Sequence, residues 1–318
     1  MVSFIVPCYN EQDNVRAFYD AFVLAFEDDS KLDWHLFMVD DGSSDQTLAR
    51  LSDIARNDKR VTVISFSRNF GKEAAIYAGL NESRGSDIVG IIDADLQQPP
   101  ETARQMLQIL LENDDYDCVA AYQESRNEGF LMGVMKRSFY KVFSRAARSN
   151  QVVENASDFR IFRASVANAI LSMPEYHRFS KGIFSWVGFN TYAFPYTPSE
   201  RNAGSTKWSF KSLVNYAVEG ILSFSTRPLH FVTVMGMVAS TIALLYALIL
   251  IVKTLIVGID VPGYASNTAL ILIFGGLQLL SIGIIGEYLA RLYEQEKGRP
   301  VYIVGRRING IEEASHDE

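Results

Sequence analysis

Cysteine is scarce in this sequence. Cys8 and Cys118 are its only two cysteines, and each lies within or beside an expected buried strand. No spacing typical of metal-binding cysteines is present, and two such residues do not build a disulfide framework. We therefore expect a reducing compartment. Residues 1–7 lead directly into a strand pattern, so no cleavable signal peptide is expected.

Positive charge is also in short supply, with 30 Lys and Arg residues against 37 Asp and Glu residues. The net charge of −7 and the isoelectric point of about 5.3 argue against a general nucleic-acid binder. The mean hydropathy of +0.04 is high for a soluble protein. The length of 318 residues allows one large domain or two ordinary ones.

Two common nucleotide-binding loops are missing. A dinucleotide-binding sheet requires Gly-x-Gly-x-x-Gly after its first strand, but this chain has Pro7-Cys-Tyr-Asn-Glu there. A Walker A loop ends in Gly-Lys-Ser/Thr, whereas Gly71-Lys72 is followed by Glu73 and lacks the upstream glycine. A nucleotide bound by this chain must therefore be held by other means.

The sequence does contain a regular alternation of short apolar strands and helices. Strands are expected at Val2–Val6, Trp34–Val39, Val61–Phe66, Ile88–Ile92, Tyr116–Tyr122 and Tyr192–Tyr196. Helices are expected at Asn14–Phe26, from a Ser44 cap to Ala55, from Lys72 to Asn81 and at Glu101–Leu111. This alternation predicts an α/β fold with a doubly wound, mostly parallel sheet and right-handed crossovers.

One stretch organises the sheet. The apolar run Ile88–Ile92 predicts a strand buried on both faces, and Asp93-Ala-Asp95-Leu-Gln97 follows it directly. In an extended segment, residues two apart point the same way, so Asp93, Asp95 and Gln97 would converge on one point. Two close carboxylates repel each other unless a cation lies between them, and Mg²⁺ characteristically takes one or two carboxylates plus substrate phosphates. The alternative is a polar turn, where Asp is common.

Polar clusters follow four of the predicted strands. They comprise Tyr9–Glu11, Asp40–Asp41, Arg68–Lys72 and Asp93–Gln97. The carboxyl ends of parallel strands meet at one edge of a sheet, where ligands bind in open α/β folds. The sequence therefore predicts that the four clusters form one site.

A basic helical pattern covers Phe130–Ala147 and contains Lys136 and Arg137. One interpretation is an ordinary solvated basic face. The other is a surface for anionic lipid or for a lipid phosphate.

Asp, Glu, Lys and Arg are all absent from Leu229 to Val252. A helix of this length exceeds the bilayer core of roughly 30 Å. A second uncharged run, Thr268–Gly286, is near the lower limit for a span, and a buried helical hairpin is the alternative for the pair. Ser209–Ser225 has an apolar face and is expected to lie in the membrane interface.

Basic residues flank these two runs. Arg227 precedes the first, and the second is followed by Arg291, Lys297, Arg299, Arg306 and Arg307. Because basic residues remain on the cytoplasmic side, both ends of the pair are expected to be cytoplasmic. Val301–Val304 is expected to form a short strand, and Glu312–Glu318 is expected to fray.

Four motifs in combination resemble those of family 2 glycosyltransferases of the GT-A fold. They are Ile5–Glu11, Val39–Thr47, Ser67–Lys72 and Asp93–Gln97. Two further features are similar to polyprenyl-phosphate glycosyltransferases, which include dolichol-phosphate mannose synthases and bactoprenol glucosyltransferases. These features are the pair of apolar runs and the loop Arg201-x-x-Gly204-x-Thr206-Lys207, in which Thr206 stands where serine is frequent. The two-span tail looks most like the bactoprenol group.

The resemblance covers nearly the whole chain and implies four regions. These are a cytoplasmic GT-A catalytic domain (1–207), an interfacial amphipathic helix (208–228), a two-helix transmembrane hairpin (229–290) and a cytoplasmic tail (291–318). The implied location is the inner (plasma) membrane, with two spans and both termini cytoplasmic. No Gln-x-x-Arg-Trp motif is present, which argues against a processive polysaccharide synthase.

The resemblance also implies roles for residues that bind the donor. The nucleobase and ribose pocket would comprise Pro7, Tyr9 and Glu11, with Asp40 or Asp41. The diphosphate would be approached by Arg68, Lys72 and Asp93. Mg²⁺ or Mn²⁺ would be bound by Asp93, Asp95 and Gln97.

Further roles concern catalysis and the acceptor. Arg201 and Lys207 would close over the phosphates, and Asp158 resembles the family's catalytic acidic position. Candidates for the acceptor phosphate are Arg126, Lys136, Arg137 and Arg160. A lipid phosphate has a second pKa of about 6 and hardly needs a general base. We therefore expect Asp158 to orient the acceptor or the sugar, with Arg160 offsetting the repulsion between carboxylate and phosphate.

The implied reaction is the inverting transfer of a hexose to a polyprenyl phosphate, such as undecaprenyl phosphate, at the cytoplasmic membrane face. UDP-glucose is the favoured donor, with GDP-mannose and UDP-aminoarabinose as alternatives. A diacylglycerol or a protein is an alternative acceptor, and an inactive, membrane-tethered binding protein is a further alternative. Nucleic acid is not an expected partner, and a homo-oligomer is left open.

Overall fold

A computed structural model describes residues 1–27, 32–123, 156–199, 227–257, 263–309 and 312–314. The chain divides into two compact units. The first unit comprises residues 1–220 together with 299–318, and the second unit comprises residues 221–298.

Strands and helices alternate through the N-terminal part of the first unit. They are β1 (Val2–Cys8), α1 (Val15–Phe26), β2 (Trp34–Asp40), α2 (Thr47–Asn57), β3 (Val61–Phe66), α3 (Lys72–Glu82), β4 (Ile88–Ile91), α4 (Pro100–Glu112) and β5 (Cys118–Gln123). The elements that follow are β6 (Ala156–Arg163), α5 (Ala164–Leu171), α6 (Ser180–Trp186) and β7 (Thr191–Tyr196). Most predicted boundaries agree with these within one or two residues.

The strands of the first unit form one mixed sheet. Its order is β7–β5–β6–β4–β1–β2–β3–β8–β9, where β8 is Val304–Asn309 and β9 is Glu312–Ala314. The four central strands, β4, β1, β2 and β3, run parallel. Strand β6 is antiparallel to β4, and β8 is antiparallel to β3. The predicted parallel α/β sheet is confirmed at its centre, and the antiparallel strands lie on either side of it.

Helices cover both faces of the central sheet. Phe4 and Ile5 are neighbours in β1 and are both fully buried, so their side chains point to opposite faces. The Phe4 ring contacts Phe22 of α1, with 5.0 Å between centroids. Ile5 instead contacts α3, where a Cβ added at Gly79 would lie 2.2 Å from the Ile5 side chain. The doubly wound arrangement is therefore confirmed.

Three local predictions were wrong. The fraying expected from Glu312 is not seen at Glu312–Ala314, which forms β9 and pairs with β8. Ser44 does not cap α2, because the N–H of Thr47 donates to Oδ1 of Asp45 at 2.9 Å. The short strand expected at Val301–Val304 is instead β8, which begins at Val304. It forms where the chain pairs with β3, and this partner is distant in sequence.

The second unit contains two long helices, α7 (Arg227–Val257) and α8 (Tyr264–Glu296). Leu229–Ile249 and Ile273–Glu296 are long and apolar enough to cross a membrane, with mean hydropathies of 2.1 and 1.5. Their apolar side chains are largely exposed, for example Leu244 at 70% and Leu279 at 72%. A buried helical hairpin would not show this exposure. The helices predicted at Phe130–Ala147 and Ser209–Ser225 lie outside the described residues.

Candidate active site

Three charged side chains meet at the edge of the sheet. Nζ of Lys72, the first residue of α3, lies 2.6 Å from Oδ1 of Asp93 and 3.2 Å from Oδ2 of Asp158. Asp93 follows β4. Asp158 lies near the start of β6, which runs antiparallel to β4 with Ile91 opposite Arg160. The start of β6 therefore lies beside the end of β4, which brings Asp158 to the edge predicted for the site.

The charges of this cluster stabilise one another. Burial would raise the pKa of the Asp158 carboxyl, but the positive charges of Lys72 and Lys181 outweigh it, and the pKa lies below its ordinary value. Burial would lower the pKa of the Lys72 ammonium, but the carboxylates of Asp93 and Asp158 raise it well above its ordinary value. The Lys72 side chain as a whole is 43% exposed, while its ammonium lies between the two carboxylates.

The residues after β4 form a turn rather than the extended segment that the alternation of Asp93, Asp95 and Gln97 predicted. Leu96 adopts a left-handed conformation with φ of 60°. The N–H of Gln97 donates to Oδ1 of Asp95 at 3.1 Å, which closes the turn locally. The argument from strand alternation was therefore wrong for this segment, because the strand ends at Ile91.

Gln98 holds Asp93 in this turn. Its Oε1 accepts the backbone N–H of Asp93 at 2.9 Å, and its Nε2 donates to Oδ2 of Asp93 at 3.1 Å. Gln98 is only 5% exposed. The orientation of the Asp93 carboxylate is thus set from two sides, by Gln98 and by Lys72.

The turn offers carboxylate oxygens that suit a hard divalent cation. Among the described residues, no group of three or more His, Cys, Asp or Glu side chains is arranged to hold a metal ion. Mg²⁺ does not require such a cage, since it commonly binds one or two carboxylates together with substrate phosphates. Asp93 and Asp95 have the chemistry for this mode, and the ligand set of Asp93, Asp95 and Gln97 stays a prediction.

Asp40 and Asp41 are buried and connect loops at the same edge. Asp40 accepts the N–H of Ser43 at 3.2 Å and the hydroxyl of Ser65 at 2.7 Å. Asp41 accepts the N–H groups of Phe70 at 2.7 Å and of Gly71 at 2.9 Å. Burial raises the pKa of Asp41 despite these two backbone donors. These hydrogen bonds join the loop after β2 to the loop after β3.

The end of β1 forms the next part of the edge. Pro7 lies in β1 opposite Val39, and Tyr9 is 41% exposed just beyond the strand. The N–H of Glu11 donates to the Thr47 hydroxyl at 2.8 Å. The neighbouring Asn10 has a positive φ of 53°. The predicted convergence of the polar clusters is therefore observed as a series of contacts along one edge.

The arginines differ in environment. Arg68 is exposed, and its guanidinium lies 4.0 Å from the centroid of the Phe70 ring. Arg160 is 5% exposed, and its guanidinium lies 4.5 Å from the centroid of Phe184. The remaining predicted site residues lie outside the described part of the chain: Arg126, Lys136, Arg137, Arg201 and Lys207.

The sequence argument missed Glu73 as well as Gln98. The Glu73 carboxylate accepts the N–H of Ser180 at 3.0 and 3.1 Å and also accepts the Ser180 hydroxyl. Burial and the nearby charge of Asp158 raise the pKa of Glu73. Glu73 thus ties the start of α3 to the start of α6. In the sequence, Glu73 could have been recognised because it directly follows Lys72. Gln98 could have been recognised as an amide side chain directly before Pro99-Pro100.

Comparison with known families gives two matches. Residues 3–171 match the family described as Glycosyl transferase family 2, and residues 227–292 match the GtrB C-terminal hairpin. An uncharacterized glycosyltransferase of Synechocystis is 41% identical, covering 95% of this chain and 94% of its own length. A prophage-derived bactoprenol glucosyl transferase of Shigella flexneri is 36% identical, covering 97% of this chain and 99% of its own length.

A solved structure agrees with the fold. The crystal structure of mannosyl-3-phosphoglycerate synthase from Rubrobacter xylanophilus superimposes with a TM-score of 0.50 at 19% identity. The match covers 72% of this chain and 74% of the other. At this identity the likeness concerns the fold alone, and the expected GT-A-like architecture is confirmed.

Proposed function

This chain belongs to glycosyl transferase family 2, and from that premise we propose that it transfers a hexose, with inversion, from a nucleotide sugar to a polyprenyl phosphate. The observation that carries the proposal is the extent of the similarity. The bactoprenol glucosyl transferase of Shigella flexneri matches 97% of this chain, so the match includes both apolar helices as well as the charged edge of the sheet. We favour UDP-glucose as the donor and undecaprenyl phosphate as the acceptor.

The donor would lie along the carboxyl edge of the central strands. We assign the nucleobase and ribose to the surface around Pro7, Tyr9 and Glu11, next to the loops joined by Asp40 and Asp41. The diphosphate would then reach Lys72, whose side chain is 43% exposed and whose ammonium contacts two carboxylates. Arg68 is exposed on the adjoining loop and can approach the same phosphates.

A divalent cation would suit the carboxylates that follow β4. Asp93 and Asp95 would hold it, and Gln98 keeps the Asp93 carboxylate oriented through two hydrogen bonds. When bound, Mg²⁺ or Mn²⁺ would supply positive charge against the negative charge that grows on the leaving nucleoside diphosphate. Lys72 contributes a second positive charge at the same point because it contacts Asp93 directly.

Asp158 would act on the acceptor side. A lipid phosphate is already ionised near neutrality, so its attack on the anomeric carbon requires little help from a base. The lowered pKa of Asp158 keeps it ionised, which suits an orienting group better than a proton acceptor. Arg160 is buried beside it and would offset the repulsion between the carboxylate and the incoming phosphate.

The lipid acceptor requires the site to stand close to a membrane. The helices α7 and α8 have the length and composition for two spans. The chain leaves the first unit before α7, and β8 belongs again to its sheet. Two crossings return a chain to its starting side, and the flanking arginines and lysines support the cytoplasmic side for both ends.

The test uses the purified full chain in detergent with radiolabelled UDP-glucose, undecaprenyl phosphate and Mg²⁺. Label extracted into the organic phase is counted, with an EDTA control and a control lacking acceptor. The proposal predicts label that depends on both the metal and the acceptor. Diacylglycerol in place of the polyprenyl phosphate should yield none.

Other outcomes would change different parts of the proposal. Label from GDP-mannose or UDP-aminoarabinose, but none from UDP-glucose, would replace the donor and keep the reaction. Label that persists in EDTA would show that the reaction does not depend on a divalent cation. No label and no nucleotide-sugar hydrolysis from any donor would favour a membrane-tethered binding protein.

A further inference from the structure

The chain that follows the second apolar helix returns to the edge where the polar loops lie. We call Tyr302–Arg307 the return segment. Its strand pairs antiparallel with β3, with Arg306 opposite Ser65 and Val304 opposite Phe66. The register shifts between Ser65 and Phe66, at the end of β3 that leads into the next loop.

The return segment contacts the backbone of that loop. We call residues 67–71 the Arg68 loop. The N–H of Ser67, which opens the loop, donates to the carbonyl of Ile303 at 3.0 Å. A Cβ added at Gly305 would lie 3.2 Å from the backbone nitrogen of Ser67 and 3.3 Å from its Cα. Two backbones therefore approach closely here, and glycine leaves the necessary space.

Tyr302 packs against the two elements that flank the Arg68 loop. Its ring stacks on Phe66 at the end of β3, with centroids 5.1 Å apart and an interplanar angle of 18°. It also meets the edge of Tyr77 in α3 at 6.3 Å, and its hydroxyl accepts Nδ2 of Asn81 at 3.4 Å. The loop is thus supported by the return segment at its start and by Asp41 at Phe70 and Gly71.

We propose that Tyr302 and Gly305 are positioning residues for donor binding, acting through the Arg68 loop and the Lys72 that follows it. The ligand is the diphosphate of a nucleotide, so this inference rests on the proposed function. Neither residue needs to touch the donor. The consequence is that donor affinity depends on a segment that the chain reaches only after both apolar helices.

The test measures nucleotide binding to the full chain in detergent by calorimetry, with UDP and GDP as separate probes. Tyr302→Ala removes the ring contacts and should raise the dissociation constant about tenfold. Tyr302→Phe keeps the stack on Phe66 and should stay within about twofold of wild type. Gly305→Ala requires the Ser67 backbone to shift by a few tenths of an ångström and should raise the dissociation constant in the same direction as Tyr302→Ala, by a smaller factor.

Arg307→Ala is the matched control, because Arg307 lies on β8 together with Gly305. Arg307 pairs with Glu82 at 2.7 Å, at the end of α3 opposite Lys72, and its side chain is 51% exposed. This variant should bind nucleotide like wild type. In turnover assays, Tyr302→Ala should raise the KM for the donor and leave the KM for the acceptor unchanged.

Hydrogen exchange supplies a measurement that needs no ligand. Tyr302→Ala should speed exchange of the Ser67, Phe70 and Gly71 amides while the amides of α1 exchange as in wild type. Equal nucleotide affinity in wild type, Tyr302→Ala and Gly305→Ala would overturn the inference and leave the proposed function standing. Failure of wild type to bind either nucleotide would overturn both.

Discussion

The ammonium of Lys72 lies 3.2 Å from a carboxylate oxygen of Asp158, although the two residues belong to elements far apart in the chain. The same ammonium lies 2.6 Å from Asp93. One cation therefore stands between the carboxylate assigned to the donor side and the carboxylate assigned to the acceptor side. This arrangement allows the two roles to be tested separately.

Asp158→Asn should separate turnover from donor binding. The change removes the carboxylate that orients the acceptor or the sugar and leaves the Lys72–Asp93 contact, so we expect kcat to fall by about 10²-fold or more. Nucleotide affinity, measured by titration, should remain within about twofold. Asp114→Asn is the control, since its side chain is 99% exposed. A matching loss of nucleotide affinity in Asp158→Asn would contradict the acceptor-side role.

Lys72→Met should impair both sides of the site. Without the ammonium, Asp93 and Asp158 repel each other and the diphosphate loses a positive charge. We expect kcat/KM to fall by about 10²- to 10³-fold, measured from initial rates. Lys59→Met removes an exposed lysine from a turn and serves as the control. Activity of Lys72→Met close to that of wild type would show that the contact is not used in the reaction.

Gln98→Ala should weaken the binding of Mg²⁺. Gln98 makes two hydrogen bonds to Asp93, and groups that orient metal ligands typically affect metal affinity strongly. The Mg²⁺ concentration at half-maximal rate should rise about tenfold or more. Gln108→Ala, on the exposed surface of α4, is the control. An unchanged Mg²⁺ titration would argue against Asp93 as a ligand.

Glu73→Gln should change the pH dependence of stability. The folded-state pKa of Glu73 is raised by burial and by Asp158, so the fold favours the protonated acid. Wild type should therefore be most stable, relative to Glu73→Gln, below the unfolded-state pKa of about 4.3. Its advantage should shrink as pH rises through the folded-state pKa. Thermal unfolding from acidic to neutral pH measures this, with Glu101→Gln as the baseline, and an advantage that grows with pH would contradict it.

Gly42→Ala should be more destabilising than Gly85→Ala. Both glycines have positive φ, at 65° and 93°, so both substitutions strain the backbone. Only at Gly42 would the new Cβ also meet backbone, 2.4 Å from the carbonyl carbon of Arg68. We expect losses of about 3 kcal/mol in the free energy of unfolding for Gly42→Ala and about 1 kcal/mol for Gly85→Ala, measured by chemical denaturation. Equal losses would show that the Arg68 loop yields to the added methyl.

The sequence by itself determined the order and type of most elements. Continuous apolar runs such as Val61–Phe66 specify buried strands, because any exposure of them to water is unfavourable. The uncharged stretch from Leu229 likewise specifies a helix that can cross a membrane. The family resemblance also followed from short motifs at strand ends, and the comparisons confirm it.

Only the tertiary structure decided which side chains meet. Lys72, Asp93 and Asp158 come together because β6 runs antiparallel beside β4, and strand order depends on long-range packing that no local pattern records. The same holds for the bond from Glu73 to Ser180 and for the return of β8 to β3. Hydrophobic periodicity is local and can be read along the chain, whereas pairing partners depend on the energy of the whole fold.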